Sequence, residues 1–313
     1  MISVVIPVYN EEANLAHLME RLEQSLAKLP TGEDYEIIFV DDGSRDRSLE
    51  ILQGFVGRRG VRVVELVRNY GQHHAVFAGF EQSRGEIVVT LDADLQNPPE
   101  AIPELVRVME EGGWEVVGTV REARQDSVLR RIPSKIVNAV TRKMTGVSLS
   151  DWGCMLRAYR KSVVDAMVAC EEHSTFIPAL ATIFAKRVTE IPVGHAEREA
   201  GQSHYTFRKL LNLQFDLVTS FSDYPLKLLL YMGLGLAGAG IAFGFLLGIL
   251  RLYFGPGWAA EGVFTLFAIL FFLVGAQFFA LGLIGEYIGR IYREVRKRPR
   301  YLVRKVHGGK EKS

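Results

Sequence analysis

Short runs of consecutive apolar, β-branched residues alternate with segments of helical period over the first two thirds of the chain. Ile2-Ser3-Val4-Val5-Ile6-Pro7-Val8 is apolar almost throughout, as a strand covered on both faces must be, and it breaks at Tyr9-Asn10. Glu11, Glu12 and Asn14 favour a helix start. Leu15, Leu18, Met19, Leu22 and Leu26 then recur at helical spacing until Pro30-Thr31-Gly32. The rhythm repeats with a strand over 35–40 that ends in Asp41-Asp42-Gly43-Ser44, and a helix over 48–56. A strand over 61–67 follows, then a polar loop over 69–74 and a helix over 75–82. A fourth strand over 87–91 stops in Asp92-Ala93-Asp94. Strand and helix alternating in this way predict a parallel, doubly wound α/β sheet. An amphipathic helix over 101–111, a strand over 116–120, helices over 161–170 and 176–185 and a strand over 188–193 continue the pattern.

The last third reads differently. Residues 207–222 are amphipathic, with Leu210, Leu211, Leu217 and Val218 facing one way and Lys209, Asn212 and Asp216 another, as at a lipid interface. Residues 228–250 and 263–284 carry no charge, and each reaches the ~20 residues needed to cross hydrocarbon. Gly240, Gly244 and Gly248 give the first span a small-residue face suited to close helix packing. Arg290, Arg293, Arg296, Lys297, Arg298, Arg300, Arg304 and Lys305 follow the second span, which places that end in the cytoplasm. Two spans return the N-terminal part to the same side. The predicted organisation is a cytosolic α/β domain over 1–206, an interfacial segment over 207–225, two spans within 226–289 and a basic tail over 290–313.

Composition changes this picture little. The net charge of +1 makes nucleic acid an unexpected partner. The mean hydropathy of +0.11 reflects the C-terminal spans. Cys154 and Cys170, in a chain that opens directly on a strand without a leader, read as reduced packing residues.

Candidate chemistry gathers at the carboxyl ends of the strands, where ligands bind in open α/β sheets. Tyr9-Asn10-Glu11, Asp41-Asp42, Asn69 to His73 and Asp92 to Gln96 would share that rim. Asp92 and Asp94, with Gln96 beyond them, offer hard oxygen ligands to a divalent cation that could hold a diphosphate; alternatively they form a solvated acidic turn. Asp41-Asp42-Gly43-Ser44 either caps the next helix or accepts from a base N–H and ribose hydroxyls. The basic stretch from Arg121 through Arg130 and Arg131 to Lys135 suits an anionic lipid or a phosphate, or is an ordinary solvated face. His73 and His74 either touch a ligand or satisfy a turn.

Ile6-Pro7-Val8-Tyr9-Asn10-Glu11, Val40-Asp41-Asp42-Gly43-Ser44 and Leu91-Asp92-Ala93-Asp94-Leu95-Gln96 resemble the signature of family 2 glycosyltransferases of the Rossmann-like GT-A fold. With the two C-terminal spans the chain is similar to the polyprenyl-phosphate glycosyltransferases. Arg68 to His73, Gly153 to Arg160, His195 to Glu199 and Gly285 to Tyr292 extend the resemblance over nearly the whole chain. The resemblance implies inverting transfer from a UDP-sugar to undecaprenyl phosphate at the bacterial inner membrane, by an enzyme that contacts the bilayer and forms a homo-oligomer, a tetramer in related enzymes. It implies Mg2+ or Mn2+ held by Asp94 and Gln96, with Asp92 orienting the site and Asp151 acting as base or orienting residue. Pro7, Tyr9, Glu11, Asp41 and Asp42 would line the nucleotide. Arg121, Arg130 and Ser134 match acceptor-phosphate positions. Arg198, Ser203 and His204 match a loop near the donor diphosphate, with His204 where related chains carry lysine. The alternatives are a sister enzyme using UDP-glucose or GDP-mannose, a membrane-anchored nucleotide-sugar sensor, and a structural adaptor. A processive polysaccharide synthase would carry Gln-x-x-Arg-Trp and more spans.

Overall fold

The computed structural model describes residues 1–29, 34–121, 154–170, 176–194, 224–255, 263–296 and 298–308. They divide into two units, residues 1–207 with 298–313, and residues 208–297.

The first unit is built on an eight-stranded sheet. In chain order its elements are β1 (Ile2–Val8), α1 (Leu15–Leu26), β2 (Tyr35–Asp41), α2 (Ser48–Phe55), β3 (Val61–Leu66), α3 (Gln72–Gln82), β4 (Ile87–Thr90) and α4 (Ile102–Gly112), the last entered through a 3-10 turn at Pro99–Ala101. Then come β5 (Val116–Arg121), β6 (Arg157–Arg160), α5 (Lys161–Ala169), α6 (Ile177–Phe184), β7 (Val188–Val193) and β8 (Val303–His307). The strand order is β7-β5-β6-β4-β1-β2-β3-β8.

Alternation along the strands explains the three layers. Val4, Ile6, Val8, Ile37 and Phe39 face α1, α2 and α4 through Leu18, Leu22, Leu52 and Leu105. Val5, Ile38, Val40 and Val64 face α3, α5 and α6 through Val76, Phe80, Val164 and Leu180. Gly79 lets α3 lie close on β1, since a Cβ there would stand 2.2 Å from the Val5 side chain.

The expectation of a parallel sheet is corrected. β4, β1, β2 and β3 are parallel, but β6 runs antiparallel between β4 and β5, and β8 runs antiparallel on β3. The sheet is mixed. The segment read as the basic tail contains β8. Its Arg304 and His307 reach the buried Glu65 carboxylate of β3 at 2.9 and 3.2 Å. Charged residues are the usual composition of an edge strand, which is why this one reads as a tail.

The second unit contains α7 (Tyr224–Phe254) and α8 (Val263–Val295). Both are long and apolar enough to cross a membrane, over Leu226–Phe254 and Phe272–Gly289, and neither stretch is buried in protein. Each helix runs beyond the uncharged segment legible in the sequence. The interfacial segment over 207–222 lies outside the described residues.

Candidate active site

The parallel run β4-β1-β2-β3 brings four strand ends to one edge of the sheet. β5 points the same way, because β6 is antiparallel to both of its neighbours. Arg121, the last residue of β5, therefore ends on the same rim as Asp92. β6 begins at this rim, just after Cys154. β7 ends there opposite β5, and β8 begins there, where Val67 N–H donates to the Leu302 carbonyl at 2.9 Å.

Hydrogen bonds stitch the strand ends together. Asp42 N–H donates to the Val8 carbonyl at 2.8 Å, and Leu91 N–H to the Val5 carbonyl at 3.1 Å. Asn10, in the left-handed region at φ 56°, donates its N–H to Ser44 Oγ at 3.1 Å and accepts from Arg45 N–H at 2.7 Å. Glu11 N–H donates to Ser48 Oγ at 2.8 Å, and the Glu11 carboxylate accepts from Asn14 Nδ2 at 2.6 Å. Tyr9 remains 40% exposed at the mouth, whereas Pro7 is buried inside β1 opposite Val40.

Asp41 and Asp42 are nearly fully buried. Asp42 accepts from Tyr70 N–H at 2.7 Å and Gly71 N–H at 2.8 Å, one on each oxygen, and so fixes the loop before α3. Asp41 accepts from Ser44 N–H at 3.3 Å. Burial pushes both carboxyls above the ordinary range, against the hydrogen bonds that pull them down. Gly43 makes the turn possible. It has φ +69°, and a Cβ there would stand 2.6 Å from the Arg68 carbonyl carbon.

Asp92 and Asp94 are half-buried just beyond β4. Gln72 Nε2 donates to Asp92 Oδ1 at 2.5 Å, and Asn97 Nδ2 to Asp92 Oδ2 at 3.2 Å. Asp94 Oδ1 accepts from Gln96 N–H at 3.2 Å across Leu95, a buried non-glycine residue at φ 61°. Such backbone is costly and concentrates at functional turns. Among the described residues no three His, Cys, Asp or Glu side chains group as a self-contained metal cage. A half-buried Asp-x-Asp turn fits Mg2+ or Mn2+ in another way, since small hard cations are often held by one or two carboxylates together with substrate phosphates.

The structure thus assembles Tyr9, Glu11, Asp41, Asp42, Asp92, Asp94, Gln96 and the end of β5 at Arg121 on one rim. Asp151, Arg130, Ser134, Arg198, Ser203 and His204 lie outside the described residues. Gln72 was expected on the rim but without a role, and Asn97 was not among the candidates. The signal for Gln72 was Gly71, which starts α3 earlier than apolar spacing suggests. His73, beside Gln72, is half-buried, with its ring edge-on to Phe176 and the ring centroids 5.5 Å apart. Its Nδ1 has no hydrogen-bond partner among the described residues, and burial holds its pKa down to about 4.

The chain that carries this rim of carboxylates belongs to glycosyl transferase family 2, whose model matches residues 3–168. The similarity reaches further among individual relatives. A Pseudomonas fluorescens protein named undecaprenyl-phosphate 4-deoxy-4-formamido-L-arabinose transferase is 54% identical over 307 residues, covering 97% of this chain and 90% of that protein. A Proteus mirabilis protein of the same name is 55% identical over 312 residues, covering 99% and 95%. Among solved structures, glucosyl-3-phosphoglycerate synthase from Mycobacterium tuberculosis, in complex with Mn2+, UDP-glucose and phosphoglyceric acid, aligns at a TM-score of 0.49. It is 20% identical and covers 71% of this chain and 78% of that one.

Proposed function

We propose that this chain transfers 4-deoxy-4-formamido-L-arabinose from its UDP donor to undecaprenyl phosphate, with inversion, at the bacterial inner membrane. The product would feed lipid A modification and so resistance to cationic peptides such as polymyxin. The observation that carries the reading is identity above half, along nearly the whole chain, to proteins of that name. Supporting it are the acidic rim and two helices able to cross a membrane. The proposed organisation has the sheet domain and both termini on the cytoplasmic side, in a homo-oligomer.

The acceptor phosphate has a second pKa of about 6 and is largely ionised near neutral pH, so it needs little help from a strong base. One of its oxygens attacks the anomeric carbon from the face opposite UDP. The bond from that carbon to the diphosphate oxygen breaks, and the electron pair leaves on UDP. Catalysis then rests on positioning and on electrostatics. Asp94 and Gln96 would hold Mg2+ or Mn2+, which neutralises charge developing on the leaving diphosphate. Asp92, gripped by Gln72 and Asn97, keeps the turn in shape. Tyr9, Glu11 and the Asp41-Asp42 pair border the base and ribose. Arg121, with Arg130 and Ser134, is assigned to the acceptor phosphate, and Arg198, Ser203 and His204 to the donor diphosphate. Asp151 orients acceptor or sugar.

The test is a transfer assay on the full chain in nanodiscs with undecaprenyl phosphate and Mg2+ or Mn2+. The formamido-arabinose donor, UDP-glucose and GDP-mannose are compared. Glycolipid from the first donor alone, with Asp94→Asn reducing the rate at least about 100-fold, is the expected result. Product only from another donor overturns the substrate. No product, with donor binding unchanged by Asp94→Asn, replaces the enzyme with a sensor.

A further inference from the structure

The grip on Asp92 continues inward to a thiol. Asn97 is 4% exposed, and while its Nδ2 donates to Asp92, its Oδ1 accepts from Cys154 Sγ at 3.3 Å. Cys154 is 1% exposed, and its sulfur lies 2.9 Å from Thr119 Oγ1 on β5. That hydroxyl is in turn 2.9 Å from the Leu156 carbonyl. The hydrogen count gives this chain a direction. The thiol donates to the Asn97 carbonyl oxygen, and the threonine hydroxyl beside it donates to the Leu156 carbonyl. An amide has one accepting and one donating end. Turned over, Asn97 would aim its carbonyl oxygen at the Asp92 carboxylate and its NH2 at a sulfur, which accepts weakly. The thiol and the carboxylate therefore favour the same amide orientation, the one that places N–H on Asp92.

We propose that Cys154 and Asn97 are positioning residues for the Asp-x-Asp turn: the thiol orients the amide, and the amide orients the carboxylate. The consequence is a turn held ready for a divalent cation and the donor diphosphate. This inference rests on the function proposed above. Cys154 serves as a buried hydrogen-bond donor, and neither as a nucleophile nor as a metal ligand.

The experiment compares wild type, Cys154→Ala, Cys154→Ser, Asn97→Ala and the double variant Asn97→Ala/Cys154→Ala, all as the full chain in nanodiscs. The readouts are kcat, the Mn2+ concentration giving half-maximal rate, calorimetric binding of UDP in the presence of Mn2+, and the thermal midpoint. Cys154→Ala is expected to lower kcat by about 5- to 30-fold, the cost of leaving the buried Asn97 carbonyl oxygen without its donor, and to weaken Mn2+-dependent UDP binding. Cys154→Ser keeps an O–H donor and recovers to within about 3-fold of wild type. On the Asn97→Ala background, Cys154→Ala adds nothing further, as a residue acting through another requires. Equal losses in the alanine and serine variants that track a fall in thermal midpoint would reduce Cys154 to packing and overturn the relay. Independent, additive losses from the two positions, or no loss from either, would overturn it as well. A wild-type protein that transfers nothing from the formamido-arabinose donor overturns the proposed reaction instead, and the UDP titration still decides the relay.

Discussion

Two glycines at the rim have positive φ, and the structure separates what each one does. Gly43 joins Asp41-Asp42 to the following turn with its α-carbon against the backbone of Arg68 and Asn69. A Cβ there would lie 2.6 Å from the Arg68 carbonyl carbon, 2.7 Å from Asn69 N and 2.9 Å from Arg68 Cα. Gly71, at φ 99° and ψ 152°, would meet nothing within 4 Å. Gly71→Ala should therefore cost only backbone strain, about 1–3 kcal/mol. Gly43→Ala adds left-handed strain of about 1–2 kcal/mol to overpacking of about 1–3 kcal/mol, and the atoms in the way are backbone that no rotamer change can move. The sum is about 2–5 kcal/mol, and each kcal/mol lowers the melting midpoint by about 2–4 °C in a domain of this size. The two variants also differ in reach. Pushing residues 68–69 outward pulls Tyr70 and Gly71 from Asp42, so amide exchange should rise over 66–74 and UDP binding should weaken in Gly43→Ala. Thermal melts, hydrogen-exchange mass spectrometry and UDP calorimetry on both variants decide it. A Gly43→Ala protein no less stable than Gly71→Ala, with exchange over 66–74 at the wild-type level, would refute the packing argument.

Other outcomes follow from buried titratable groups. Burial raises the Asp41 pKa, so its contribution to stability is full at acid pH and is lost as pH rises from 3.8 through the folded value. Asp41→Asn, which can still accept from Ser44 N–H, should melt at or above the wild-type temperature at pH 7 while binding donor more weakly; a lower midpoint would contradict this. His73 has the opposite sign: its pKa is lowered from 6.5 to about 4, so the folded protein loses up to ~3 kcal/mol as pH falls through that window. His73→Leu should flatten the midpoint-against-pH curve between pH 6.5 and 4, and an unchanged slope would count against a buried neutral imidazole.

The strands that build the rim were legible because each is an apolar run cut off by polar residues, as β1, β2 and β4 show. β6 was not. Arg157-Ala158-Tyr159-Arg160 has an arginine at each end and reads as surface, yet Arg157 and Tyr159 are fully buried. Arg157 Nε donates to the Cys154 carbonyl at 2.9 Å, a tertiary partner that composition does not announce. With β6 unseen, its antiparallel insertion beside β4 was unseen too, and so was the approach of Cys154 to Asn97. The acidic strand ends gave away their location but not their division of labour. Only the structure shows Asp42 committed to the Tyr70 and Gly71 amides, and Asp92 gripped by two side-chain amides.

β8 gives this protein a timetable. Glu65 and its partner Arg304 are 239 residues apart, and both apolar helices are translated between them. At about 5–20 residues per second, β3 waits roughly 10–50 s on the ribosome as an unpaired edge. Arg62 and Glu65 along that strand are the sort of charges that discourage it from pairing with a neighbouring nascent chain meanwhile. The sheet is completed only after both apolar helices have been synthesised, so the half of the chain made first waits for one of its strands on nearly the last residues made.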